Sequence, residues 1–252
     1  MEKNSSQIQK VAIITGGTSG LGLAMAKKFV EKEILTIVTG RDEAKLKETK
    51  DSLGSLCVPL KMDMTKLDQV PTYIKEITDK YGKIDILVNN AGINLKKELT
   101  EVTDEDFQRI LLTNLTAVFA ISREVSKVMI AQKKGHIINI SSMAAHYGLP
   151  KVVAYSASKA AIEGMTRAMA VELSPLGILV NCIAPGFIKT NMSSKALDSD
   201  PERKRRVLER TPMGKLGLPE DVANTAYFLV SDDNKFVTGA VIPVDGGNSI
   251  GF

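Results

Sequence analysis

Short apolar runs rich in β-branched residues recur along this chain with longer amphipathic stretches between them, and that alternation restricts the fold more than any other feature. The runs are VAIIT at 11–15, LTIVT at 35–39, CVPLK at 57–61, DILVN at 85–89, HIINIS at 136–141, ILVNCIA at 178–184 and AVIPVD at 240–245. Their length and unbroken apolarity suit strands buried on both faces. The stretches 20–32, 43–52, 66–80, 104–130, 152–174 and 219–230 carry helical periodicity, with start signals such as Thr103-Asp104 and Pro219-Glu220. Strand followed by helix from end to end predicts an α/β chain with a mostly parallel seven-stranded sheet flanked by helices, doubly wound.

At 252 residues the chain has room for one large domain or two small ones. No Pro/Gly/Ser-rich linker, shift of composition or internal repeat divides it, so a single domain over 1–252 is expected. The exception to the alternation is 187–215, FIKTNMSSKALDSDPERKRRVLERTPMGK, a long polar segment without a strand run. An insert of that length is expected to serve as a substrate lid. The first residues, MEKNSSQIQK, are polar and expected to fray.

Composition excludes several classes of function. The 33 Lys and Arg against 29 Asp and Glu leave a net charge of only +4, too mild to imply nucleic acid or an anionic membrane. No run approaches the ~18 apolar residues of a membrane span, and the N-terminus has no signal-peptide apolar region, so cytoplasmic residence is the expectation. Cys57 and Cys182 lie in apolar runs and read as buried thiols; with only His136 and His146 besides, no metal site is expected.

TGGTSGLG, residues 15–22, follows the first strand directly and opens the first helix. A dinucleotide pyrophosphate needs backbone N–H groups at close range and the positive end of a helix, and a Cβ at the turn would obstruct both. Gly16, Gly20 and Gly22 supply the turn, the close approach and the tight helix–sheet contact, with Thr18, Ser19 and Leu21 between them. Their spacing is G-x-x-x-G-x-G, not the G-x-G-x-x-G of the longer dinucleotide folds. Cofactor choice falls at the tip of the second strand, which reads Thr39, Gly40, Arg41. No carboxylate stands there to accept from ribose hydroxyls, and Arg41 offers a planar cation suited to a phosphate. NADP(H) is therefore expected in preference to NAD(H), with Asp42 capping the next helix.

In YSASKAAIEG, at 155–164, a tyrosine and a lysine stand four positions apart among small residues, on one helix face. TGGTSGLG, NNAG at 89–92, Tyr155 and Lys159 in YSASK, and PGFIKT at 185–190 occur together and in order, and with them the chain resembles the short-chain dehydrogenase/reductase family, from Val11 to Gly247. The resemblance implies a Rossmann domain and a hydride transfer between a nicotinamide and a carbonyl or secondary alcohol. It gives Tyr155 the role of general acid or base. Lys159 would lower the Tyr155 pKa together with oxidised nicotinamide, and would hold the nicotinamide ribose. Ser142, thirteen residues before Tyr155, would bond the reacting oxygen, while Ser141 points the other way if the strand is regular. Asn114 lies in an otherwise apolar helix interior, QRILLTNLTAVFAIS, where a carboxamide is disfavoured without a purpose. The resemblance makes it a helix break and a water relay to Lys159.

The same resemblance assigns cofactor contacts at the strand ends. Asp63 would accept from the adenine amino group with backbone from Met64. Asn90, Ala91 and Gly92 would line the adenosine side, and Ile188 and Thr190, past Pro185 and Gly186, would meet the nicotinamide carboxamide. Substrate is left open. IAPGFIKTNM and VTGAVIPVDGG are similar to 3-oxoacyl-carrier-protein reductases, whereas DPERKRRVLERTPMGKLGLPEDVA is similar to sugar-acid dehydrogenases such as gluconate 5-dehydrogenase. A broad carbonyl reductase, or a dinucleotide-binding module without turnover, are further alternatives; 3-oxoacyl or general ketone reduction is the expectation carried forward. Arg203, Lys204, Arg205 and Arg206 could greet an anion, although Glu202 and Glu209 flank them as on a solvated helix face. His146 and Tyr147 are expected in the pocket wall. A homotetramer or dimer is implied, through helices 104–131 and 152–175 and the C-terminal VDGGNSIGF, and helix 152–174 carries small or apolar residues around much of its girth, among them Ala157, Ala160, Ala161, Met165, Ala168 and Met169.

Overall fold

The computed structural model describes residues 9–190 and 200–251. The expected fraying of the N-terminus and the first part of the expected lid, 191–199, lie outside the described residues. Seven strands form one sheet: β1 Val11–Thr15, β2 Leu35–Gly40, β3 Cys57–Lys61, β4 Ile86–Asn89, β5 Gly135–Ile140, β6 Ile178–Pro185 and β7 Val241–Val244. Their spatial order is β3-β2-β1-β4-β5-β6-β7 and every pairing is parallel, so the sheet is wholly rather than mostly parallel. The order reverses at β1, whose neighbours are β2 and β4. Connections leaving the two sides diverge there and open a crevice above the strand ends, where such sheets take ligands.

The helices are α1 Gly20–Glu31, α2 Glu43–Leu53, α3 Val70–Tyr81, α4 Asp104–Leu111, α5 Ala117–Gln132, α6 Val153–Leu173, α7 Pro201–Arg210 and α8 Pro219–Val230. Successive strand residues face opposite layers, which is why near-continuous apolarity was needed. Ala12 and Ile14 meet Met25 and Phe29 of α1 and Val222 and Ala226 of α8. Val11 and Ile13 belong to the other layer, with Ile74 and Ile77 of α3, Ile121 and Val125 of α5 and Ala170 of α6.

Local signals set the ends. The Asp42 carboxylate caps α2, accepting from Lys45 N–H at 3.2 Å, as expected. α3 carries Pro71 in its first turn and stops at Gly82, φ +74°, the left-handed turn that glycine adopts without a steric cost. Helix 104–130 is present but interrupted: between α4 and α5, residues Leu112–Thr116 form a π turn. Among the described residues of the segment 187–215 stands one helix, α7, and an isolated parallel bridge joins Ile188 to Gly217 at its edge. Among the described residues no helix is long and apolar enough to cross a membrane.

Candidate active site

The candidate residues collect where β1, β4, β5 and β6 end. Thr15 closes β1 and is fully buried. Its hydroxyl donates to the Val88 carbonyl (3.3 Å) and accepts from the N–H groups of Asn90 and Ala91 (3.0 Å each). One oxygen thus fixes the exit of β4 against that of β1. The Asn90 carboxamide donates to the carbonyls of Thr15 (3.0 Å) and Gly16 (3.1 Å), so it braces the glycine turn from behind instead of reaching into the crevice.

The turn itself is packed on one side and open on the other. Gly16 and Gly20 take φ of +64° and +52°, and a Cβ on Gly22 would lie 2.2 Å from the Gly16 carbonyl oxygen. A Cβ on Gly20 would meet nothing nearer than the Thr190 Cγ2 at 3.8 Å. Ser19, the N-cap of α1, makes no side-chain capping bond, which leaves the first N–H groups of that helix to an outside acceptor. The Gly20 side of the turn, at the N-terminus of α1 and facing Thr190, leaves room for a pyrophosphate.

At the tip of β2, Gly40 packs on Thr18, whose Cγ2 would stand 3.2 Å from an added Cβ, and Arg41 is exposed beyond it. The Asp63 carboxylate accepts from the Thr65 hydroxyl (2.7 Å) and N–H (3.0 Å). Those bonds, with weaker help from Arg41 and Lys66, hold it below the usual carboxylate range. Met64 is buried in the core, which leaves only its backbone for a ligand.

Gly92 is the meeting point of three elements: a Cβ there would approach Asn114 Oδ1 at 3.3 Å and Lys159 Nζ at 3.7 Å. Asn114 lies in the π turn, so the helix break read from sequence is present. Its carboxamide accepts from Ile93 N–H (2.8 Å) and donates to the Ile93 carbonyl (2.9 Å) and Ser158 Oγ (3.1 Å). That side chain is a fully bonded tie between the β4 exit and α6. What the break changes is the backbone: Ala117 N–H reaches back five residues to Leu112, so a carbonyl inside the turn loses its ordinary helical donor.

Tyr155 and Lys159 share a face of α6, with Nζ 5.6 Å from the tyrosine ring centre. Lys159 is 5% exposed, donates to the Ile140 carbonyl at 2.7 Å, and burial brings its pKa down to about 8. Ser142 starts the turn after β5, accepting from Ala144 N–H at 3.2 Å, and its hydroxyl faces the Tyr155 phenol closely enough to favour phenolate. Burial pushes the phenol above its ordinary value, against the smaller downward effect of Ser142. Ser141 does point elsewhere, toward α6, where it bonds Glu163 and the Lys159 carbonyl.

Beyond β6, Pro185 is buried and Gly186 lies against Asp245, its N–H donating to the Val244 carbonyl at 3.0 Å. The Ile188 side chain, at 5% exposure, belongs to the layer of α1 and α8, which leaves its backbone for the crevice. Thr190 overhangs the glycine turn. In α7, Arg205 pairs with Glu202 (2.8 Å) and Glu209 (2.6 Å) and Arg206 approaches Glu202 at 3.7 Å; these side chains form a solvated face.

Sequence reasoning missed three groups. Thr15 reads as one more strand threonine, and nothing in its spacing marks it. Glu163 stands at i+4 from Lys159, a spacing that could have drawn attention. Asn248, fully buried, accepts from the Tyr147 hydroxyl and donates to Thr211 Oγ1 at 2.9 Å, while its carbonyl accepts from Arg210 Nε at 3.0 Å. The Arg210 guanidinium also stacks on Tyr147, 4.4 Å from the ring centre. Tyr147 is thereby tied to the C-terminal segment and to α7.

The family described as enoyl-(acyl carrier protein) reductase matches residues 16–249. A 3-oxoacyl-[acyl-carrier-protein] reductase FabG of Thermotoga maritima is 40% identical over 244 residues, covering 94% of this chain and 97% of that protein. Among solved structures, a putative gluconate dehydrogenase from Agrobacterium tumefaciens superposes with a TM-score of 0.92 at 34% identity, covering 96% of this chain and 97% of that one. A putative NAD(P)-dependent gluconate 5-dehydrogenase from Beutenbergia cavernae with bound NADP gives 0.90 at 35% identity, covering 94% and 96%.

Proposed function

The chain belongs to the short-chain dehydrogenase/reductase family and is an oxidoreductase acting between C=O and CH–OH groups; from that premise we propose that it reduces 3-oxoacyl thioesters or related ketones with NADPH. The observation that carries the reading is Tyr155 and Lys159 on one face of α6, with the Ser142 hydroxyl facing the phenol, beside a glycine turn with room for a pyrophosphate. NADPH, when bound, supplies the hydride. Tyr155 gives its proton to the carbonyl oxygen as that oxygen gains charge. The phenol is protonated at neutral pH and so has a proton to give in the direction of reduction. Ser142 holds the same oxygen in line. Lys159 is charged below about pH 8 and stabilises the phenolate left behind, with N–H donors besides the one bound to Ile140 for ribose hydroxyls. The π turn at Asn114 is the place where a water of the proton path to Lys159 would be held.

The preference for NADPH rests on Arg41 and on the lack of a carboxylate at the tip of β2. The acyl-thioester reading is favoured by the FabG relative. The sugar-acid reading is second, favoured by the two gluconate dehydrogenase structures, and a binding module without turnover sits poorly with Asn114, Ser142, Tyr155 and Lys159 all in place. Residues 200–215 of the expected lid stand beside this site through Tyr147, Arg210 and Asn248. Initial rates of NADPH oxidation, with NADH in parallel, against an acetoacetyl thioester, a 5-keto sugar acid and an activated diketone test the reading, with Tyr155→Phe as control. Fast turnover of the thioester with NADPH alone is expected. A faster sugar acid replaces the substrate, equal use of NADH removes the role of Arg41, and undiminished turnover by Tyr155→Phe overturns the mechanism.

The enzyme is further proposed to work in the cytoplasm as a homotetramer or dimer. α6 turns outward a row of Val153, Ala157, Ala160, Gly164, Ala168 and Val171, and α5 exposes Phe119 and Ile130. Apolar helix faces of that kind are ordinarily covered. A monomeric mass by light scattering at micromolar concentration would remove the assembly.

A further inference from the structure

Glu163 lies one turn beyond Lys159 on α6, so Tyr155, Lys159 and Glu163 follow one another along the same side of the helix. Only 8% of it is exposed, and a carboxylate so placed needs partners to offset the lost water. Both come from the chain leaving β5. The Ser141 hydroxyl donates to Glu163 Oε1 at 2.8 Å, and His146 Nε2 lies 2.9 Å from the same oxygen. Ser141 reaches the Lys159 carbonyl as well, at 3.2 Å. The other ionisable neighbours are the Lys159 ammonium on α6, the Cys182 thiol on β6, and Asp245 after β7, whose charge is felt by His146.

These bonds bracket Ser142. The sheet holds the chain only as far as Ser141, whose N–H donates to the Ile183 carbonyl at 2.8 Å. Beyond that point Ser142 belongs to a short turn, with the residue before it and the residue four after it both fastened to Glu163. The helix that presents the phenol therefore also sets the position of the turn whose serine faces it.

We propose that Glu163 is a positioning residue: through Ser141 and His146 it keeps the Ser142 hydroxyl in register with the Tyr155 phenol. The inference rests on the reading of Ser142 and Tyr155 as the reacting pair, and its test needs no substrate. Phenolate absorbance titrated against pH in each protein, minus that of the same protein carrying Tyr155→Phe, isolates Tyr155. Ser142→Ala is expected to raise the midpoint, because it deletes a bond that favours phenolate. Glu163→Ala is expected to raise it equally, and the double variant no further, since the two act through one contact. Glu163→Gln keeps the accepting oxygen and is expected to stay with wild type. In the rate assay with the diketone, Glu163→Ala is expected to lose about 10- to 100-fold in kcat with NADPH affinity within about twofold.

A Glu163→Ala midpoint equal to wild type, beside a raised one in Ser142→Ala, overturns the positioning role; so does a Glu163→Gln protein that behaves as Glu163→Ala, which would assign the effect to charge. A silent Ser142→Ala overturns the pair itself, and the positioning role with it. If Glu163→Ala does not fold, His146→Ala removes one of the two bonds at a side chain 25% exposed, and the same upward shift, smaller, is required of it.

Discussion

A lysine buried to 5% exposure is a costly choice for any single position, and Lys159 shows what is gained. The folded chain holds its pKa near 8 against 10.5, so below pH 8 the unfolded chain and the folded one are both protonated and the fold bears the whole penalty of burying charge. That penalty is about 3 kcal/mol at pH 7 and is relieved as pH rises from 8 through 10.5, where the unfolded chain still binds a proton that the folded one has released. Lys159→Met is accordingly expected to raise the melting temperature at pH 7 by about 5 to 10 °C while abolishing turnover, with the gain shrinking toward pH 10. Calorimetry at the two pH values checks this; a gain independent of pH would show that burial of the charge is not its source. Arg41 poses the opposite case, an exposed cation whose part within the chain is a weak pull on the Asp63 carboxylate. Arg41→Ala is expected to raise KM for NADPH by about 10-fold or more and to leave KM for NADH and the melting temperature unchanged, since a lost charge-assisted phosphate contact is worth about 1.5–3 kcal/mol.

Among elements, the strand–turn–helix unit from Val11 to Glu31 carries the most function per residue, and its tolerance is uneven. Gly22→Ala would set a Cβ 2.2 Å from a backbone oxygen and 2.6 Å from Asn90 Nδ2, neither of which can move without opening the exit of β1. It is expected to cost about 3 kcal/mol and to lose NADPH binding in fluorescence titration. Gly20→Ala has open space but a left-handed backbone, so its effect should be smaller on stability than on binding. This unit was readable from sequence because each requirement is local: an apolar run, glycines at fixed offsets, a helix start. The π turn was half-readable, since an asparagine in an apolar helix signals a break without saying that its carboxamide would tie Ile93 to Ser158. Glu163 with His146, and Asn248 with Tyr147 and Arg210, were not readable, because each joins residues 17 to 101 positions apart whose meeting depends on how the layers close.

Across the whole molecule the two edges of the sheet have different work. Every residue given a role in binding or proton transfer lies beyond the carboxyl ends of the strands, whereas the amino ends hold groups that bear on stability alone. His136, at the start of β5, is the clearest of these. It is 8% exposed, its Nδ1 has no hydrogen-bond partner among the described residues, and Lys10 and Lys134 stand near it. Burial first, and those two ammonium groups next, bring its pKa down to about 4, so the folded chain keeps the ring neutral where an unfolded chain, near 6.5, takes up a proton. Stability therefore falls as pH drops from 6.5 toward 4, by about 3 kcal/mol from this one ring. Carboxylates also weaken the fold in acid, which makes the difference between wild type and His136→Gln the informative quantity. The variant is expected to lose about 6 to 10 °C less than wild type between pH 7 and pH 4, with kcat and KM for NADPH at pH 7 unchanged. Parallel acid curves would show that another group governs the acid limit. A changed kcat would mean instead that the amino edge of the sheet reaches the active site after all, across the length of β5.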